Sequence, residues 1–155
     1  MAVATLGGTS AFFAGGQLKN GSKSDVVDVF TLATRDEGAP DASGLRTVPL
    51  VHSVVKLSSP RSMLAATTVD GPRVTSQYVL FGGGELKENE SHTSTTQDSA
   101  TVDVYDSSLK RMVQSHNLSI ARKKHAATTV GQTALFGGGY LSGFGSLASV
   151  DLFHG

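Results

Sequence analysis

Arg61 and Arg122 stand in the same slot of two matching segments, "LSSPRSMLAATTV" and "LSIARKKHAATTV". A guanidinium repeated at a fixed place has two uses. It can point outward from a rim toward an anionic partner or a substrate carboxylate, or it can bond carbonyls and carboxylates of the surrounding fold. Lys123 and His125 lie beside the second arginine in the run "ARKKH", and with Arg61 and Arg122 they form the candidate ligand-binding set. Internal partners are also on offer. Asp28, Asp103 and Asp151 recur in "VDVF", "VDVY" and "VDLF". An aspartate at a repeated place accepts hydrogen bonds from turn backbone or pairs with a basic side chain.

Other chemistries find less support in the residues. The five histidines, His52, His92, His116, His125 and His154, lack metal-ligand spacing, so no metal site is expected. The absence of cysteine excludes disulfides, thiol catalysis and thiolate zinc sites. "GFGSLA" at Gly143–Ala148 matches a dinucleotide pattern in form, but "SVDLFHG" follows it and reads as a strand, leaving no helix N-terminus for a phosphate. No cofactor and no catalytic residue is therefore assigned. Thirteen basic and thirteen acidic residues balance, which argues against nucleic acid as a partner. No apolar run approaches the ~18 residues of a membrane span, and the N-terminal stretch lacks the basic start of a signal peptide. These features favour the cytoplasm over secretion. Three Asn-x-Ser sequons, at Asn20, Asn89 and Asn117, keep a secreted origin open.

The elements that must position these residues read as strands. Glycine pairs interrupt the chain, Val and Thr are frequent, and short apolar runs are bounded by turn residues. The runs also repeat. "LSSPRSMLAATTVDGPRVTSQYVLFGGG" at Leu57–Gly84 registers on "LSIARKKHAATTVGQTALFGGG" at Leu118–Gly139, and "AVATLGGTSAFFAGG" near the N-terminus matches their second half. After each glycine cluster comes the Val-Asp-Val/Leu-aromatic element, 11, 18 and 11 residues beyond Gly16, Gly84 and Gly139. Insertions thus gather in one loop of the middle repeat, the polar stretch "ELKENESHTSTTQDSA" at Glu85–Ala100, a candidate recognition loop.

A unit of about 50–60 residues with several strands and a glycine pair resembles the kelch repeat, one blade of a β-propeller. The resemblance covers essentially the whole chain and implies an all-β fold of about three four-stranded antiparallel blades. They are expected at about residues 1–57, 58–118 and 119–155, the last without its outermost strand. It further implies that "AATTV" is an innermost strand, "ALFGGG" a second and "VDLF" part of a third. Small side chains suit the crowded axis, and Gly15, Gly16, Gly83, Gly84, Gly138 and Gly139 form the corner after the second strand. Where the family carries a tryptophan seven residues beyond the third-strand aromatic, this chain has Met112 beyond Tyr105.

Three blades cannot close a ring when propellers have ~4–8. The expectation is therefore a half-propeller, completed to six blades by a second copy in a homodimer. On function, the lack of a catalytic constellation favours a non-catalytic binding or scaffold module whose rim loops recognise a protein or glycan partner. The alternative is part of a carbohydrate-active propeller, of the sugar or sugar-acid isomerase or mutarotase kind, with Arg61, Arg122 and His125 near the channel mouth. A galactose-oxidase-like site is excluded by the missing cysteine.

Overall fold

The computed structural model describes residues 1–33, 49–71, 76–86 and 97–155, and among these it contains strands and connections but no helix. The first sheet is a simple antiparallel meander of β1 (Ala2–Leu6), β2 (Ser10–Ala14), β3 (Val26–Leu32) and β4 (Leu50–Lys56). After the two-residue strand β5 (Arg61–Ser62), the pattern repeats in β6 (Ala65–Asp70) and β7 (Gln77–Gly82). A second short strand, β8 (Glu85–Leu86), pairs with β5 before the sheet resumes in β9 (Thr101–Asp106) and β10 (Arg111–Asn117). The third sheet holds β11 (Ala126–Val130), β12 (Thr133–Gly137) and β15 (Val150–His154), with the small hairpin of β13 (Tyr140–Leu141) and β14 (Gly145–Ser146) between its last two strands. The two short pairs were not foreseen from the repeat, because two residues are too few to carry a periodicity. Within the stretch Glu85–Ala100, residues 87–96, with Asn89 and His92, lie outside the described residues.

The sheets stand face to face, with the innermost strands β1, β6 and β11 side by side. Thr67 and Thr129, from the "AATT" segments of β6 and β11, join by a hydroxyl–hydroxyl hydrogen bond of 2.8 Å. Side chains this small let the strands converge where wedge-shaped sheets are narrowest.

Two cores result, one in each gap between sheets. The first contains Phe12, Val27, Leu64, Val79, Phe81 and Tyr105, and the second contains Leu80, Val102, Val104, Leu118, Ala134 and Phe136. Strand alternation explains the division: Val102 and Val104 leave one face of β9 while Tyr105 leaves the other. Tyr105 meets Phe12 edge-on with ring centroids 5.0 Å apart, and Met112 lies opposite it in register and packs on the same core. Each buried large apolar side chain contributes about 1.5–3 kcal/mol.

Burial differs by sheet. In the middle sheet β9 is buried on both faces, whereas β11 and β15 of the third sheet alternate between half-buried and exposed positions. Val3, Val51 and Val54 on the first sheet, and Val130, Val150 and Leu152 on the third, are exposed.

Candidate functional site

All four candidate ligand-binding residues lie in the two linkers that carry the chain from one blade to the next, against the glycine corners. At the middle corner, Gly83 and Gly84 have φ of 62° and 105°, a left-handed backbone that disfavours side chains. Space is short there as well. A Cβ on Gly83 would lie 2.5 Å from the carbonyl oxygen of Arg122 and 2.6 Å from the His125 ring. Gly15, Gly16, Gly138 and Gly139 share the positive φ, while Gly82, the first glycine of its cluster, is required by packing: its Cβ would press 2.6 Å from Phe136.

The arginines link consecutive blades. The carbonyl oxygen of Arg61 accepts from Gly16 N of the first blade at 2.9 Å, and that of Arg122 accepts from Gly84 N of the second at 2.8 Å. Their side chains run the other way, into the blade that follows. Arg61 donates through Nη1 to the carbonyls of Gly83 (3.0 Å) and Thr101 (2.6 Å), and through Nη2 to the Asp103 carboxylate. Arg122 repeats the arrangement, with Nη1 on Gly138 O (3.2 Å) and Ser149 O (2.7 Å) and Nη2 on Asp151 Oδ2 (2.9 Å). Both guanidinium groups are fully buried at 0% exposure, so neither reaches solvent at a rim. Burial pulls Arg61 down from its ordinary range, and the charge and hydrogen bond of Asp103 oppose that pull. The aspartates also receive backbone amides three residues ahead of each arginine: Ser58 N reaches Asp103 at 3.1 Å and Ser119 N reaches Asp151 at 2.8 Å.

Lys123 turns toward the middle blade. Its ammonium contacts Glu85 at 2.6 Å and Asp98 at 3.3 Å, and Glu85 receives Lys23 of the first blade at 2.7 Å. Asp98 in turn accepts Ser142 N of the third blade at 2.6 Å. The network therefore ties all three blades on one side of the arc. Burial pushes the Glu85 carboxyl up, but hydrogen bonds from Lys123 and Lys23 outweigh it and leave the group below its usual range. Lys123 shows the converse: burial pulls it down, while Glu85 and Asp98 hold it above.

His125 occupies the position that Leu64 holds one blade earlier, and it packs against Phe136 with ring centroids 5.9 Å apart. Burial first, and the Arg122 charge second, lower its pKa to about 4, so the imidazole is neutral at pH 7. The candidate set is thus brought together by the corners, but as parts of two clamps, an ion network and an apolar contact. Glu85, Asp98 and Lys23 escaped the sequence reading because single polar residues in the loops after the glycine corners carry no spacing signal. Ser24 and Ser99 were missed as well, although each stands four residues before a repeated aspartate. Among the described residues no group of three or more His, Asp or Glu has metal-binding geometry, and no helix is long and apolar enough to cross a membrane.

No protein-family model matches the chain, and no curated protein matches it in sequence. Solved structures do. The structure of YjhT superimposes with a TM-score of 0.70 at 17% identity, over 99% of this chain and 42% of that one. A chain from RAG in complex with one melted and one unmelted RSS gives 0.66 at 14% identity, over 99% and 50%. This chain therefore spans half or less of the length of either. Identities this low carry the fold alone. With the face-to-face meanders and converging inner strands, they make the chain an all-β arc of β-propeller blades.

Proposed function

We propose that the chain is a non-catalytic binding or scaffold module built of kelch repeats, which recognises a protein or glycan partner through its rim. The observation that carries this reading is Phe144, a ring 85% exposed to solvent at the tip of the β13–β14 hairpin. The hairpin is short and bonded across its turn, Phe144 N donating to Leu141 O at 3.0 Å, and Gly143 and Gly145 flank the ring at φ of 83° and 99°. An aromatic side chain held out in this way forgoes burial worth about 1.5–3 kcal/mol, which a partner can recover. The corner cations lend support from the other direction, since Arg61, Arg122 and Lys123 are already engaged by carbonyls and carboxylates of the fold.

Selection of phage-displayed peptides and a glycan array, each screened with the whole chain, tests the reading. Ligands should emerge whose binding falls at least tenfold in Phe144→Ala while the melting temperature stays unchanged. Ligands indifferent to that substitution would overturn it. So would accelerated anomeric exchange of a sugar acid, followed by NMR, which is what the carbohydrate-active alternative requires. The same proposal has a second copy of the chain covering the exposed apolar faces of the end blades. A monodisperse monomer in light scattering at micromolar concentration would remove that part.

A further inference from the structure

The acceptor positions of the two arginine clamps recur in the first blade. Superposing the repeats by register places Gly15 on Gly83 and Gly138, Val26 on Thr101 and Ser149, and Asp28 on Asp103 and Asp151. In the second and third blades these positions supply two carbonyls and a carboxylate to one guanidinium. The first blade builds the same receptor down to its backbone. Gly15 N donates to Val26 O at 2.9 Å as Gly83 N does to Thr101 O, and Val26 N donates to Ser24 Oγ at 3.1 Å as Thr101 N does to Ser99 Oγ at 3.0 Å. Ser99 Oγ in turn lies 3.5 Å from Arg61 Nη1.

In the first blade the place of the arginine is a cleft of about 530 Å³, whose lining includes Gly15, Ser24, Val26 and Asp28. No described residue brings a guanidinium to it. Asp28 Oδ1 pairs with His52 Nε2 at 2.8 Å, just as Asp103 Oδ1 accepts from Ser115 Oγ at 3.0 Å while Oδ2 accepts from the arginine. We propose that this cleft is an arginine-binding site, selective for a guanidinium carried on an extended Leu-Ser-x-x-Arg segment. The chemistry is that of the filled clamps: a planar, permanently charged donor set meets two carbonyls and a carboxylate at fixed positions, and a lysine ammonium cannot reproduce that fork. The segment type follows from the two linkers, where the serine three residues before the arginine donates its amide to the same aspartate. By register the arginine belongs three positions ahead of Met1, so it can arrive on residues joined ahead of Met1 or on a separate peptide.

Titration with acetyl-Leu-Ser-Ser-Pro-Arg-Ser-amide, the sequence of Leu57–Ser62, separates these sources, with backbone NMR and calorimetry as readouts. Saturable binding should shift the amides of Gly15, Gly16 and Asp28. It should weaken at least tenfold when citrulline replaces the arginine or when the chain carries Asp28→Asn. The Asp28 side chain is 41% exposed, and an unchanged melting curve verifies that the variant folds. In a second arm, Leu-Ser-Ser-Pro-Arg-Ser-Met is fused ahead of Met1. An occupant on the same chain should raise the melting temperature, lose that gain when glutamine replaces the arginine, and block the free peptide. Peptide binding alone assigns the occupant to a separate segment. Binding indifferent to citrulline and to Asp28→Asn, or no binding together with no arginine-dependent rise in melting temperature, would overturn the proposal.

Discussion

The middle blade and the first blade carry the same Val-Asp-Val-aromatic strand, yet the aspartate lives in different surroundings in each. The Asp103 side chain is 4% exposed, holds the buried Arg61 and takes the Ser58 amide, with a neighbouring blade on either side. The Asp28 side chain is 41% exposed and pairs with a half-exposed His52. A repeat encodes the strand and the acceptor, but the neighbour supplies the burial that gives the acceptor its energetic weight. Identical motifs should therefore differ greatly in what their loss costs.

The sharpest break of this comparison is Asp103→Ala against Asp28→Ala. Removing Asp103 leaves a guanidinium in the interior without its counter-charge, which costs about 3–5 kcal/mol. The exposed pair at Asp28 is worth at most about 1 kcal/mol. Urea denaturation of both variants checks the difference, and equal losses would show that the blades do not bury their clamps unequally.

The corners give a second, smaller contrast. Gly83→Ala meets both a left-handed backbone and a wall formed by the Arg122 carbonyl and His125, and it should destabilise by about 2–4 kcal/mol. Gly138 has a similar φ of 69°, but among the described residues the first atom its Cβ would meet is Leu147 O, 3.9 Å away. Gly138→Ala should then cost only the backbone term, about 1–2 kcal/mol. Adding whatever covers the third blade should raise that figure toward the Gly83 value, and thermal melting with and without a ligand reads the change.

The order of strands was legible because each core strand is five to seven residues long and ends at a glycine or polar turn, so the repeat reports it directly. The pairing of the arginines with the aspartates was legible only as one of two uses. The residues fix the charges and the spacing, but whether Arg61 points to solvent or into its own blade depends on the Gly83 and Thr101 carbonyls, which every sequence possesses. The three-blade ion network was hidden for a related reason. Lys23, Glu85 and Asp98 come together through corner geometry across 76 positions of chain, and no local pattern encodes that approach.

The smallest expected effect concerns Leu64 and His125, which fill one slot in consecutive linkers with unlike chemistry. Leu64 sits 5% exposed in the first core, whereas His125 presents an imidazole to Phe136 with its pKa lowered to about 4 by burial and by Arg122. In the unfolded chain the same ring titrates near 6.5. Between those values the unfolded state binds the proton more readily than the folded one, so stability falls as pH drops from about 6.5 to about 4 and levels off below. A displacement of that size corresponds to about 3 kcal/mol for a fully buried ring, and the partial exposure of this one reduces the expectation to about 1–2 kcal/mol. His125→Leu copies the earlier linker and removes the titration. Its melting temperature should match that of the parent within a few degrees at pH 7.5 and exceed it increasingly toward pH 4.5. Parallel pH profiles for the two proteins would mean that the ring stays as basic in the folded chain as in water.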